Sequence, residues 1–324
     1  MEIEPKVFML DWVQGIQKND KQDGKPKLVR LLCLFLVLAA VATAEPKFQY
    51  DRPIVKTLLQ QGSPSQKIDL VFVGDGYTPN RASELERDAR DAADSLWKYP
   101  LFKDYKQHFN VHLVSVPSVQ EGQKTAYAFG STLLDNGRGM VIISKEDELK
   151  AVAAKAPGCD VIIVLSTMLG RAHAGDFIVL PGRSFEPLPH ELGHKLGKLG
   201  DEYSSESSLA DRRPLNFGSG DIPYPNLTLP SKIDPTSPDT IKKTAKWGHF
   251  LDLPGANPLV SAYQGGFYRT VGVWRPTFSC IMGSDGAPFC PVCHEEMVKA
   301  IYAQCGIPFD DKAYHRRHPL SQWR

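Results

Sequence analysis

From Lys67 to Val73 the chain reads Lys-Ile-Asp-Leu-Val-Phe-Val, an alternation that merges into an apolar run and stops at Gly74-Asp75-Gly76. The pattern predicts a strand closed by a tight turn, since glycine supplies the positive φ that such turns need. Over residues 80–97 the period changes. Ala82, Leu85, Ala89, Ala92, Ala93 and Leu96 recur at helical intervals with charges between them, which predicts an amphipathic helix. Further strands are predicted at 109–116, 139–144, 160–166 and 176–180. Helices are predicted at about 146–155, 187–198 and 294–304, the last burying Met297 and Ile301. Strands alternating with helices indicate an α/β fold with a mixed, twisted sheet. After Tyr203 the periodicity fades, and residues 204–240 are rich in Ser, Pro and Asp. So long an irregular stretch is usually functional, and it is expected to wall a cleft. Within it, Asn226-Leu227-Thr228 has the pattern of a glycosylation acceptor.

The amino terminus is patterned differently. Residues 31–44 form an uncharged apolar run behind Lys25, Lys27 and Arg30 and end in Ala42-Thr43-Ala44. Basic flank, apolar core and small-residue exit are the parts of a secretory signal cleaved after Ala44. The run is short of the roughly 20 residues of a membrane span. The chain is therefore expected to be exported, extracellular or periplasmic, without stable membrane association after cleavage. The expected organisation is an upstream extension plus signal at 1–44, a linker at 45–65, a catalytic domain at 66–308 and a basic tail at 309–324. The domain divides into 66–203 and a loop-rich subdomain at 204–308. Beyond residue 44 the basic and acidic side chains balance, which argues against nucleic acid as a partner. Cys159, Cys280, Cys290, Cys293 and Cys305 remain after cleavage. In an exported chain disulfides are expected, with Cys280–Cys290 as a plausible pair and one thiol left over.

The chemistry concentrates in His190-Glu-Leu-Gly-His194-Lys-Leu-Gly-Lys-Leu-Gly-Asp201-Glu-Tyr203. On a helix, His190 and His194 project from one face and can grip a single Zn²⁺, with Glu191 beside it as base toward a zinc-bound water. Gly197 and Gly200 suit a helix end, after which Asp201 can swing back as a third ligand. Glu202 is an adjacent competitor for that role, and Glu206 or a more distant acid is a further alternative. Two histidines and one carboxylate leave a fourth position open, as catalytic zinc requires. Isolated His108, His112 and His173 read as structural. Tyr203 and Tyr268 are possible donors to an oxyanion.

The zinc segment is similar to the metzincin pattern HExxHxxGxxH, with Gly197 at its glycine. It departs from that pattern in that the third-ligand register falls on Gly200, one residue before Asp201. Cys280-Ile281-Met282-Gly283 resembles the metzincin methionine turn, which would place Met282 beneath the ligands. Together with Val73-Gly74-Asp75-Gly76-Tyr77-Thr78, Phe109–Ser118, Gly265-Gly266, Arg275-Pro276-Thr277 and Phe289-Cys290-Pro291-Val292-Cys293, these segments resemble the peptidase M64 family over roughly residues 66–305. The resemblance implies a metzincin-like zinc endopeptidase acting on protein or peptide, with one catalytic Zn²⁺ on His190, His194 and Asp201 and with Glu191 as base. It implies neither immunoglobulin A as the substrate nor a second metal or haem at the Cys290–Cys293 run. Two other readings are a non-catalytic zinc protein of the same fold and an amidohydrolase for a non-peptide amide. The presence of Glu191 weighs against the first.

Overall fold

Ile68–Asp75 is buried at every position, which explains its nearly continuous apolar sequence: a central strand covered on both faces has no polar side to show. It is β2 of twelve strands in the computed structural model, which describes residues 48–50, 52–121, 124–134, 139–204, 215, 217–218, 220–284 and 286–323. The apolar run at 31–44 and its upstream extension lie outside the described residues. In chain order the strands are Ile54–Leu59 (β1), β2, Phe109–Ser115 (β3), Val119–Glu121 (β4), Lys124–Ala126 (β5), Ser131–Leu134 (β6) and Met140–Ile143 (β7). Val161–Ser166 (β8), His173–Ala174 (β9), Ile178–Pro181 (β10), Tyr263–Gly266 (β11) and Arg269–Arg275 (β12) complete them. The helices are Ala82–Lys98 (α1), Pro100–Asp104 (α2), Glu146–Ala153 (α3), Leu188–Lys195 (α4), Pro238–Thr244 (α5), Pro291–Gln304 (α6) and Asp311–Arg317 (α7).

Six strands form one mixed sheet in the order β1-β3-β2-β8-β10-β9. The inner four are parallel, and β1 and β9 run antiparallel at the two edges. Because side chains alternate across a strand, β2 feeds two cores. Ile68, Leu70 and Phe72 join α1, α4, α6 and the methionine-bearing segment on one face. Val71 and Val73 join β7, α3 and Phe129 on the other. Asp75, at the end of β2, is also buried. Its carboxylate accepts from the Phe129 and Ser131 amides, both at 3.0 Å, and from the Ser131 hydroxyl at 2.7 Å. It therefore braces the segment leading into β6.

The structure adds to the sequence reading at three places. Residues 45–65 are not only a linker, because β1 pairs with β3 along the sheet edge. Its outward side chains, such as Ile54 at 55% exposure, gave no amphipathic signal. The basic tail is packed against the domain: Tyr314 and Leu320 join the main core, and His318 is buried. The strand predicted at 176–180, β10, is not outermost: the chain doubles back through Gly175 and pairs β9 with Ile178 and Val179. Among the described residues no helix is long and apolar enough to cross a membrane.

Candidate metal centre

Helix α4 is the next element after β10, reached through residues 182–187, and carries Pro189 near its start, where a missing N–H is harmless. It ends at Lys195, three residues earlier than the pattern predicts. The turn that follows is made by Lys198, at φ 52°, and Leu199 N–H returns to the Gly193 carbonyl at 3.1 Å. Gly197 and Gly200 are needed for space rather than for φ. A Cβ at Gly197 would stand 2.7 Å from Met297 Sδ, and one at Gly200 would stand 2.6 Å from Leu227 Cδ1.

This turn brings Asp201 back to the helix. His190 Nε2 and His194 Nε2 lie 3.0 Å apart, and Asp201 Oδ1 is 3.2 Å from each. The edge of a tetrahedron with metal–ligand bonds of 2.0–2.1 Å is about 3.3 Å, so the triangle has the size of three zinc ligands. Its protonation fits as well. His190 Nδ1 donates to the Ile281 carbonyl at 2.9 Å and His194 Nδ1 to the Leu199 carbonyl at 2.7 Å, leaving both Nε2 atoms as lone-pair donors. Asp201 Oδ1, buried between those lone pairs, consequently has no hydrogen-bond donor. Three convergent acceptors without a proton among them suit a cation.

Electrostatics follow from the same packing. Without a cation, a proton on the imidazoles can take its place: burial opposes the charged form of Asp201, but hydrogen bonds from protonated His190 and His194 and from the Tyr268 hydroxyl outweigh it and hold the carboxyl well below the usual range. Burial likewise works against charge on His194, and Asp201 more than offsets it, so its pKa rises. Glu191, on the same helix and buried, is raised by desolvation, which His190 and His194 partly oppose.

The brace on Asp201 is Tyr268, whose hydroxyl donates to Oδ2 at 2.6 Å. Tyr268 and Phe267 form the tip of the β11–β12 hairpin, both at positive φ (62° and 51°), the combination of a type I′ turn usually built from Asn and Gly. This costly geometry is pinned by two bonds of 2.8 Å, Phe267 N–H to the Asp201 carbonyl and Tyr268 N–H to the Tyr203 carbonyl. Tyr268, which the sequence suggested as an oxyanion donor, thus holds a carboxylate. Tyr203 stacks 5.6 Å from the His190 ring. Met282 is fully buried beneath α4 and reaches the helix at Gly193.

Glu202 points elsewhere. Its amide donates to the Met282 carbonyl at 2.6 Å, and its side chain lies among Cys280, Cys290 and Cys293. Burial first, then Cys290, pushes the carboxyl up to about 8. Glu206 lies outside the described residues. All five described cysteines are free thiols, so the expected Cys280–Cys290 disulfide is not formed. Asn226 is no glycosylation site in the folded chain. It is fully buried, and its amide exchanges bonds of 2.8 and 2.9 Å with the Gly200 backbone while also donating to Glu202. His173 bonds the Val141 carbonyl and His112 bonds Asp69, so both are structural. His249 and His315 converge on Glu295, but Lys299 Nζ at 2.7 Å already neutralises that carboxylate, making the group an ion-pair network.

Comparison with protein families matches the one described as IgA Peptidase M64 to residues 56–216 and 241–301, which include every residue of the His190–His194–Asp201 centre and Met282. No curated protein matches the chain.

Proposed function

The chain belongs to the peptidase M64 family, and from that premise we propose that it is an exported, zinc-dependent endopeptidase of metzincin-like build, with His190, His194 and Asp201 as ligands and Glu191 as general base. The family makes it a peptidase with protein or peptide substrates. The observation that carries the finer reading is the triangle of lone-pair donors within 3.2 Å, with a buried glutamate on the same helix. Bound there, Zn²⁺ would supply Lewis acidity toward the scissile carbonyl and make the attacking water more acidic. Glu191 takes the proton from that water and returns it to the leaving amine. Burial favours this exchange, because it weakens the preference of Glu191 for its charged form. Tyr268 and the two backbone carbonyls keep the ligands from turning. The family's description does not fix the substrate, which depends on the shape of the cleft.

The test is digestion of a peptide library alongside metal analysis. Glu191→Gln is expected to keep zinc and lose about 10²–10⁴-fold in turnover. His190→Ala is expected to lose the zinc of this centre together with turnover. Full activity in the Glu191 variant would refute the mechanism. Export rests on the 31–44 run, and sequencing of protein recovered outside the cell should begin at Glu45.

A further inference from the structure

Against the sequence expectation of no second metal at the Cys290–Cys293 run, we propose that Cys280, Cys290, Cys293 and Glu202 hold a structural Zn²⁺ in a closed four-ligand site, separate from the histidine centre. The three sulfurs and a Glu202 oxygen lie within 4.8 Å of one another, and all four residues are buried. A tetrahedral ion with Zn–S bonds of about 2.3 Å places its sulfurs about 3.8 Å apart, so the cluster needs at most about 1 Å of contraction to close. Two of the sulfurs and the carboxylate are held from behind. Cys290 N–H points to Cys280 Sγ and Cys293 N–H to Cys290 Sγ, both at 3.4 Å, the kind of amide–sulfur bond that favours thiolate. Asn226 donates to Glu202 Oε1 at 2.9 Å, and Cys293 Sγ lies 3.3 Å from the same oxygen.

The sequence places these donors as zinc sites commonly do. Cys290 and Cys293 form a Cys-x-x-Cys pair at the start of α6, where helix N–H groups favour negative sulfur. Three thiolates and a carboxylate around Zn²⁺ carry the same net charge as the common four-cysteine site. With four protein ligands no position remains for water or substrate, so the site is structural. Its place in the fold gives it a purpose. It ties together the turn that bears Met282 and the Ile281 carbonyl that orients His190, the Asp201–Glu202 segment, and the start of α6.

The test is metal analysis and cobalt exchange on the full chain, with the His190→Ala/His194→Ala double variant as the main probe. Wild type should contain two zinc equivalents and the double variant one. After exchange with Co²⁺ the double variant should keep the near-ultraviolet thiolate-to-cobalt absorption, because every sulfur ligand belongs to this site. Cys293→Ser should weaken that band. Absence of the band in cobalt-loaded double variant, or a disulfide joining any two of the three cysteines in unreduced peptide maps, would overturn the proposal. A wild-type chain that shows the band while the double variant loses no zinc would support this site and refute the histidine centre.

Discussion

Gly193→Ala offers a test in which two physical effects have opposite signs. In an ordinary helix the change stabilises by about 0.8–1 kcal/mol, because alanine surrenders less backbone freedom on folding. At Gly193 the new Cβ would stand 2.7 Å from Met282 Sδ, 3.2 Å from Phe289 Cε1 and 3.4 Å from Leu199 Cδ1. Ordinary carbon contacts are about 3.5–4.0 Å, so the sulfur must retreat by roughly 1 Å. Met282 is fully buried, so its sulfur must retreat into the close-packed interior. Overpacking of this kind costs about 1–3 kcal/mol, which leaves a net destabilisation of about 1 kcal/mol. That corresponds to a fall of about 2–4 °C in Tm for a domain of this size. The displacement also reaches the metal centre, because Ile281 accepts from His190 and Met282 accepts from Glu202. Weaker zinc retention in a chelator competition should accompany the lower Tm. Adding Met282→Ala should show coupling, the pair costing less than the sum of the single changes. A Gly193→Ala chain more stable than wild type, with unchanged zinc retention, would refute the claim that Met282 sets the floor of α4.

Tyr268→Phe removes the donor to Asp201 Oδ2 and should lower zinc affinity about 10–100-fold, with little change in the unfolding midpoint of the metal-free chain, since the ring is over a third exposed. Asn226→Ala leaves the Gly200 amide and carbonyl and the Glu202 carboxylate without a partner in the interior. Denaturant titration should show a loss of about 2–4 kcal/mol. The pKa of the buried His318 is lowered, by burial first and Arg317 second, so the unfolded chain takes up the proton first. Stability should therefore decline as pH falls below the ordinary imidazole value of about 6.5, by up to about 1.4 kcal/mol per pH unit, and level off only below the depressed folded value. In His318→Gln this part of the slope should vanish in urea titrations run across that range.

Much of the centre could be read directly from the chain. The four-residue spacing of His190 and His194 and the glycine-rich turn before Asp201 are local facts, and folding adds only the third dimension. Strand β2 and helix α1 were equally plain, because one is buried on both faces and the other on a single stripe. Features that depend on distant pairing were not legible. Tyr268 reaches Asp201 across 67 residues, and Glu202 meets Cys293 across 91, so no spacing announced either contact. The cysteines drew a disulfide expectation because their fourth companion could not be seen. In the tail, Arg316 and Arg317 concealed the buried positions between which they lie.

The segment Asp201-Glu202-Tyr203 runs extended along the β11–β12 tip, so its side chains leave in alternate directions. Asp201 and Tyr203 meet His190, and Glu202 meets the cysteines. One backbone stretch thus serves as a partition with a carboxylate on each side. Such a partition can change in composition but not in length. Deleting or inserting one residue between Gly200 and Tyr203 would exchange the two sides and deprive both clusters of their acid at once. In descendants of this chain, insertions should accumulate in the loops on either side of these three positions and leave the spacing within them untouched.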